Sequence, residues 1–170
     1  SHLLPYFPHQ IEDITTLLAK PEHLLALRMG KGKTRIVVDA AAHLARSAQI
    51  DTLIVVAPAP VRSVWADPDP GMGEVAKWLA PEVRTDVVLE EYHAKTKALR
   101  APTCRLHILV TNPEFIRRKA RLDPLIAYAK TRKAMLVLDE SWQYQNPQAE
   151  QTKAAYRLRM ACQRVVLLNG

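Results

Sequence analysis

Two glycines and a lysine-threonine pair lie between two short apolar segments of the chain. Gly30 and Gly32 alternate with Lys31 and Lys33, and Thr34 follows. Glycines let a backbone turn tightly and point successive N–H groups at phosphate oxygens, while the N-terminus of a following helix adds partial positive charge. In such a loop the last lysine reaches the β- and γ-phosphates, and the threonine hydroxyl completes the shell of a Mg²⁺ ion. The segment therefore predicts a nucleoside triphosphate site, with ATP and Mg²⁺ as its ligands.

The loop departs from the full phosphate-loop pattern at its first position. That pattern asks for glycine five residues before Gly32, where this chain has Leu27. A glycine-rich turn with a solvated lysine is the alternative interpretation. Under the phosphate-loop interpretation, the residues that surround the nucleotide are Met29, Gly30, Lys31, Gly32, Lys33, Thr34 and Arg35.

A second candidate for chemistry is the acidic pair Asp139-Glu140, which directly follows an apolar run ending at Leu138. A phosphate-loop enzyme needs one carboxylate to hold the Mg²⁺ shell and another to orient and activate water. We assign the metal to Asp139 together with Thr34, and the water to Glu140. These two acids and Lys33 are the predicted catalytic residues. The alternative is a pair of solvated acids at the end of a strand.

Length and composition bound the kind of protein. The chain has 170 residues, of which 48% are hydrophobic, so it can bury one sizeable core. No apolar run reaches the length of a membrane span, and no secretory signal stands at the N-terminus. Two isolated cysteines, Cys104 and Cys162, have no zinc or disulfide spacing. We therefore expect a single-domain, intracellular protein with no membrane partner.

The net charge of +7 makes a polyanionic partner plausible, although a solvated basic surface explains it nearly as well. Basic residues cluster between Arg117 and Arg121 and between Lys130 and Lys133. Each cluster lies just outside an apolar segment, where a solvated helix end is the alternative.

Apolar runs and turn signals predict an alternation of strands and helices. The predicted strands are Leu24 to Leu27, Thr52 to Ala57, Thr85 to Leu89, His107 to Thr111, Ala134 to Leu138 and Arg164 to Leu168. The predicted helices are Lys33 to Arg46, Val61 to Trp65, Gly73 to Leu79, a helix capped by Asn112 with Pro113 in its first turn, and Gln148 to Met160. Continuously apolar strands favour an α/β fold, with a mostly parallel central sheet and helices on both faces.

In such a sheet, ligands bind outside the carboxyl ends of the strands. The phosphate loop follows the first predicted strand, and the segment from Pro58 to Arg62 follows the second. Thr111-Asn112 follows the fourth predicted strand, and Asp139-Glu140 follows the fifth. We therefore expect these groups to converge on one rim.

These motifs together resemble those of the superfamily II helicase-like ATPases, most closely the Swi/Snf-type double-stranded DNA translocases. The resemblance rests on Gly30 to Thr34, Asp139-Glu140-Ser141, Asn146 and Pro8-His9-Gln10, and it covers nearly the whole chain. It implies a RecA-like P-loop fold, a DEAH-like acidic motif, and the coupling of ATP hydrolysis to movement on duplex DNA.

The resemblance also implies roles for residues outside the loop and the acidic pair. Gln10 corresponds to a glutamine that reads the adenine edge, which an amide can do because it donates and accepts at once. The residues that match motifs contacting the nucleic-acid backbone are Pro58, Ala59 and Arg62, with Trp65 nearby, and Thr111 and Asn112. Such contacts position a protein on nucleic acid without reading its sequence.

Several positions differ from the family pattern. Trp142 stands where the acidic motif usually continues with histidine, and Gln145 stands where lysine is common before Asn146. Leu27 and Arg28 replace acidic residues that often precede the loop in remodelling ATPases. The differences at Leu27 and Arg28 favour a cytoplasmic microbial or viral relative over the nuclear subgroup.

Motors of this family have two RecA-like lobes, and the second lobe supplies arginines that stabilise the transferred phosphoryl group. An arginine of this kind is worth about 10³ to 10⁵ in rate. Residues 1–170 match the first lobe only. We therefore expect a single ATP-binding lobe whose partners are nucleic acid and the second lobe of the same parent chain. Alone, it should hydrolyse ATP very slowly, if at all.

Other functions remain open on the sequence. One alternative is a lobe of a helicase that acts on single-stranded DNA or RNA. Another is a small-molecule kinase, which needs an acceptor site and usually a lid that the sequence does not identify. The third is a non-catalytic nucleic-acid-binding module that keeps the P-loop fold.

Overall fold

A computed structural model of the chain describes residues 22–26, 33–58, 65 and 86–169. Its strands are β1 (Glu22–Ala26), β2 (Thr52–Val56), β3 (Val87–Glu91), β4 (Leu106–Thr111), β5 (Ala134–Leu138) and β6 (Arg164–Asn169). Its helices are α1 (Lys33–Arg46), α2 (Pro113–Ile116), α3 (Lys119–Lys130) and α4 (Glu150–Met160), with a 3₁₀ turn at Ser141–Tyr144. The predicted helix at Gly73 to Leu79 lies outside the described residues. Of the predicted helix at Val61 to Trp65, the structure describes Trp65 alone, and this residue is helical.

The six strands form one sheet in the order β1-β6-β5-β2-β4-β3. Every strand pair in the described residues is parallel, which agrees with the predicted mostly parallel sheet. The central strand β2 lies between β4 and β5, and its Ile54 is in register with Leu109 on one side and Leu136 on the other. All five residues of β2 are buried. A strand that is covered on both faces has no polar side, which explains its continuous apolar run.

Two apolar clusters cover the two faces of the sheet. Leu53 and Val55 of β2 pack in one cluster with residues of α1 such as Ile36 and Val37. Ile54 and Val56 face the other way and pack in a second cluster with α3 and α4. The alternation follows from the pleat, because successive side chains of a strand point to opposite faces. Helices on both faces are therefore confirmed.

The boundaries of the elements agree with the sequence most closely inside the core. The bounds of α1 and β5 are those predicted, and α4 begins two residues later than predicted, at Glu150. At the sheet edge, β3 runs from Val87 to Glu91 rather than from Thr85 to Leu89. Its register is set by hydrogen-bonded pairing with β4, which brings Glu90 and Glu91 into the strand although their side chains are polar.

The helix predicted after Asn112 is divided in two. Asn112 caps α2, and its side-chain oxygen accepts a hydrogen bond from the Phe115 backbone N–H, as predicted, with Pro113 in the first turn. Arg118 then adopts an extended conformation, with φ −80° and ψ 126°, and ends the helical run before α3 begins. None of the helices in the described part of the chain has the length and apolarity needed to cross a bilayer.

Candidate nucleotide-binding site

Backbone hydrogen bonds join the carboxyl ends of three neighbouring strands. The N–H of Ala57 donates to the Thr111 carbonyl at 3.0 Å, just beyond β2 and at the end of β4. The N–H of Asp139 donates to the Val56 carbonyl at 2.9 Å, which ties the end of β5 to the end of β2. The structure therefore brings Pro58, Thr111-Asn112 and Asp139-Glu140 together on one rim, as the strand order predicted.

The candidate phosphate-binding residues Lys33 and Thr34 open α1. Thr34 is 9% exposed and Arg35 is buried. The first N–H groups of a helix have no partner within it, so the start of α1 carries partial positive charge that suits phosphate. Because β1 is parallel to the other strands, its carboxyl end at Ala26 lies at the same rim as the acidic pair. The candidate residues Gln10, Met29, Gly30, Lys31, Gly32, Ala59 and Arg62 lie outside the described residues.

Asp139 is a buried carboxylate with a hydrogen-bond donor on each oxygen. Only 3% of the residue is exposed. Its Oδ1 accepts from the backbone N–H of Glu140 at 2.9 Å. Its Oδ2 accepts from the indole Nε1–H of Trp65, also at 2.9 Å. Buried polar groups are costly unless they are hydrogen-bonded, so these two donors let a carboxylate lie at the end of an apolar strand.

Glu140 has a left-handed backbone, with φ 55° and ψ 52°. This conformation costs a residue with a β-carbon about 1–2 kcal/mol and is concentrated at functional sites. It turns the chain sharply at the end of β5, between the strand and the 3₁₀ turn at Ser141–Tyr144. The side chain of Glu140 is partly exposed, whereas Asp139 is buried. The two acids therefore have different environments, which suits the different roles predicted for them.

The residues present fit a Mg²⁺ ion that is held jointly with a nucleotide. Magnesium prefers oxygen ligands and is usually bound through one or two carboxylates together with substrate phosphates and water. Asp139 supplies an oriented carboxylate and Thr34 a hydroxyl at the start of α1. Within the described ranges there is no group of three or more His, Cys, Asp or Glu that could form an all-protein metal site.

The candidate nucleic-acid residues Thr111 and Asn112 make internal contacts. The Thr111 hydroxyl donates to the Tyr92 carbonyl at 2.9 Å, and the residue is fully buried. The Asn112 side-chain oxygen accepts from the Phe115 N–H at 2.9 Å. These bonds hold the turn between β4 and α2 in place. Contact of these two residues with nucleic acid remains a prediction.

The two basic clusters lie at opposite ends of the sheet. Arg117, Arg118 and Lys119 are exposed beyond α2, near the rim of the candidate site. Arg132 precedes β5 at the other end, where its Nε lies 3.4 Å from an Asp51 carboxylate oxygen and donates to the Thr52 hydroxyl at 2.9 Å. The second cluster is therefore partly engaged in contacts that hold the sheet, whereas the first lies near the rim of the candidate site.

An apolar cavity of about 330 Å³ lies beside the acidic pair. Its lining includes Leu138, Tyr144, Ala155 and Leu167. Burial raises the pKa of Tyr144, and the carboxylates of Glu114 and Asp139 raise it further, so this phenol stays protonated. Because the lining is mainly apolar, the cavity does not suit a triphosphate.

Sequence reasoning missed the contact between Trp65 and Asp139. The two residues are 74 positions apart, and a local pattern does not indicate such a pairing. The available signal was the place of Trp65 shortly after the second strand, at the carboxyl end of the sheet.

Comparison with known proteins gives matches at the level of structure. No protein-family model matches the chain, and no curated protein matches its sequence. The SWI2/SNF2 ATPase core of Sulfolobus solfataricus in complex with dsDNA superposes with a TM-score of 0.70 at 21% identity, covering 100% of this chain and 34% of that chain. The SWI2/SNF2 ATPase core domain of the same organism gives a TM-score of 0.71 at 21% identity, covering 99% of this chain and 32% of that chain.

The chain therefore has a RecA-like α/β fold, and it is similar throughout its length to part of a SWI2/SNF2 ATPase core. It spans about a third of each of the two solved chains.

Proposed function

We propose that the chain is the ATP-binding lobe of a nucleic-acid-dependent ATPase that moves on duplex DNA. The observation that carries the proposal is the acidic pair: a buried, oriented Asp139 and a left-handed Glu140 at the carboxyl end of β5. This pair shares a rim with the start of α1, where Lys33 and Thr34 stand. The similarity of fold to a SWI2/SNF2 ATPase core supports the same proposal.

Each residue of the site has a distinct chemical role in this proposal. Lys33 binds the β- and γ-phosphates, and Gln10 pairs with the adenine. Thr34 and Asp139 hold Mg²⁺, which when bound neutralises charge on the phosphates. Glu140 orients the attacking water and accepts its proton.

Nucleic acid is proposed to bind at the same rim through its backbone. The segment after β2, with Pro58, Ala59 and Arg62, and the turn after β4, with Thr111 and Asn112, are the candidate contacts. The net charge of +7 favours a polyanion, and binding through phosphates should weaken steeply as salt rises. One of the structurally similar proteins was solved with dsDNA, which favours duplex DNA over RNA as the first polymer to test.

A second RecA-like lobe is proposed to close over the nucleotide. An arginine supplied from such a lobe typically contributes about 10³ to 10⁵ in rate, so this chain alone should turn over ATP very slowly. Closing and opening of the cleft between the lobes would then move the protein along the DNA backbone.

Binding of a fluorescent nucleotide such as mant-ATP tests the site in this chain. Removing a charge-assisted hydrogen bond costs about 1.5–3 kcal/mol, so Lys33→Ala should weaken binding in Mg²⁺ by about 10- to 100-fold. Lys153→Ala is the matched control, because this exposed lysine lies on α4, where its ammonium forms a surface ion pair with Glu150. Equal affinity of the wild-type and Lys33→Ala chains would refute the assignment.

Polymer stimulation tests the functional class. ATP hydrolysis by a two-lobed protein that carries this chain should rise with duplex DNA more than with single-stranded DNA or RNA. Stimulation by a single-stranded polymer instead would favour a helicase. If duplex DNA raises the melting temperature of this chain whereas ATP with Mg²⁺ does not, the chain is a non-catalytic nucleic-acid-binding module.

A further inference from the structure

The indole of Trp65 links the candidate metal carboxylate to a distant part of the sequence. Its Nε1–H donates to Oδ2 of Asp139 at 2.9 Å across 74 positions of chain. Trp65 is 1% exposed and Asp139 is 3% exposed, so water competes little for this bond. The Trp65 ring also packs in the same apolar cluster as residues of α1. This packing limits the motion of the ring. A rigid donor therefore faces a buried acceptor.

The direction of the bond is fixed by chemistry. An indole nitrogen can only donate, so Oδ2 of Asp139 is held as an acceptor. The Glu140 N–H donates to Oδ1 at 2.9 Å and holds the other oxygen. With a donor on each oxygen, rotation of the carboxylate is restricted.

We infer that Trp65 is a positioning residue for Mg²⁺: its indole N–H holds the Asp139 carboxylate in the orientation that meets the hydrated ion. This inference rests on the proposed function, because it assumes that Asp139 serves the metal. Groups that orient a metal-holding side chain typically contribute 10- to 100-fold in metal affinity or activity. Trp65 acts through Asp139 and touches neither nucleotide nor metal.

The position of Trp65 in the sequence gives the bond a second consequence. Trp65 comes three residues after Arg62 and seven after Pro58, both of which are candidate contacts to the nucleic-acid backbone. The hydrogen bond therefore ties that segment to the carboxylate that holds Mg²⁺.

The bond itself can be tested without nucleotide, through the indole N–H signals of the ¹⁵N-labelled chain. The Trp65 signal is assigned from its loss in Trp65→Phe. In Asp139→Asn this signal should move upfield, because a neutral amide oxygen is a weaker acceptor than a carboxylate. A Trp65 signal that stays in place in the Asp139→Asn chain would show that the bond is absent and would overturn the inference.

The role in metal binding is tested by titrating Mg²⁺ into chain and mant-ATP. Two changes remove the indole N–H: Trp65→Phe, and site-specific replacement of Trp65 by 3-benzothienylalanine, which keeps the shape of the ring but has sulfur in place of the N–H. Both should raise the half-saturating Mg²⁺ concentration by about 10- to 100-fold. Nucleotide affinity without Mg²⁺ should not change. Lys153→Ala on α4 is again the control for a change outside the candidate site.

The outcomes separate this inference from the proposed function. If the benzothienyl chain keeps the wild-type dependence on Mg²⁺, or loses affinity equally with and without Mg²⁺, Trp65 has a packing role only and the inference is wrong. If Lys33→Ala leaves binding of mant-ATP unchanged, the proposed nucleotide site itself is wrong.

Discussion

Replacing Glu140 with glycine should yield a more stable protein than replacing it with alanine, although both changes remove the carboxylate that we assign to water. At φ 55° the backbone of residue 140 lies in the left-handed region. A β-carbon there costs about 1–2 kcal/mol, and glycine avoids that cost. Glycine also makes the unfolded chain more flexible, which lowers the free energy of unfolding by about 0.4–1 kcal/mol. The difference leaves glycine ahead of alanine by about 0–1.6 kcal/mol, with a midpoint of about 0.8 kcal/mol.

The comparison is made between the two variants because alanine removes every contact of the Glu140 side chain while keeping its β-carbon. Equilibrium unfolding in urea measures the difference. For a chain of this length, a difference of 1 kcal/mol corresponds to about 2–4 °C in melting temperature. ATP hydrolysis in a two-lobed protein should be lost equally in the two variants, because neither can orient water.

Ala48 provides a matched control outside the candidate site. It has φ 58° and follows α1. Its N–H donates to the Ala45 carbonyl, and the Gln49 N–H donates to the Leu44 carbonyl, which is the hydrogen-bond pattern of a Schellman cap. Ala48→Gly should therefore stabilise the protein by a similar amount, about 0.8 kcal/mol, without any effect on nucleotide binding.

The same substitution inside the helix should have the opposite sign. Ala41 is fully buried in α1, so Ala41→Gly loses about 1 kcal/mol of helix propensity and about 0.8 kcal/mol for the buried methyl group. If Glu140→Gly proves less stable than Glu140→Ala while Ala48→Gly is stabilising, the left-handed geometry at residue 140 is incorrect. If Ala48→Gly is also destabilising, the estimate for glycine is itself wrong.

Two further predictions concern the residues that hold the rim and the edge of the sheet. His107 is fully buried between Tyr128, whose hydroxyl lies 2.7 Å from Nδ1, and a half-exposed Glu90, whose carboxylate accepts from Nε2–H at 2.9 Å. Burial lowers the pKa of His107 below its usual 6.5, and the Glu90 carboxylate only partly offsets this. The unfolded chain therefore takes up a proton first, so stability is complete above about pH 6.5 and declines as the pH falls towards the folded-state pKa. Urea unfolding at several pH values should show a smaller loss between pH 7.5 and 5.5 in His107→Gln, and an equal loss would contradict this account. Asn112→Ala should lower the free energy of unfolding by about 1 kcal/mol, because the Phe115 N–H loses its hydrogen-bond acceptor. Asn112→Ser should keep most of that stability, because serine is also a good N-cap residue. Equal stability of the two variants would show that the cap contributes nothing.

Core elements were the part of the fold that the sequence predicted best. The run Ala134 to Leu138 and the helix Lys33 to Arg46 have the predicted bounds because every residue of such a strand is apolar and the helix ends at turn-forming residues. The bounds of β3 were predicted two residues too early, since an edge strand takes its register from its neighbour. The division between α2 and α3 was not predicted, because Arg118 has no residue-type signal for an extended conformation.

The sequence by itself determined which groups could do chemistry and at which edge of the sheet they stand. Residue types and the order of strands and helices sufficed, because parallel strands deliver their carboxyl ends to one rim. The tertiary structure decided how those groups are held. It placed the Trp65 indole on Asp139, turned Glu140 into the left-handed region and committed the Thr111 hydroxyl to the Tyr92 carbonyl. These contacts join residues far apart in the chain, and only packing of the folded chain brings such partners within hydrogen-bond distance.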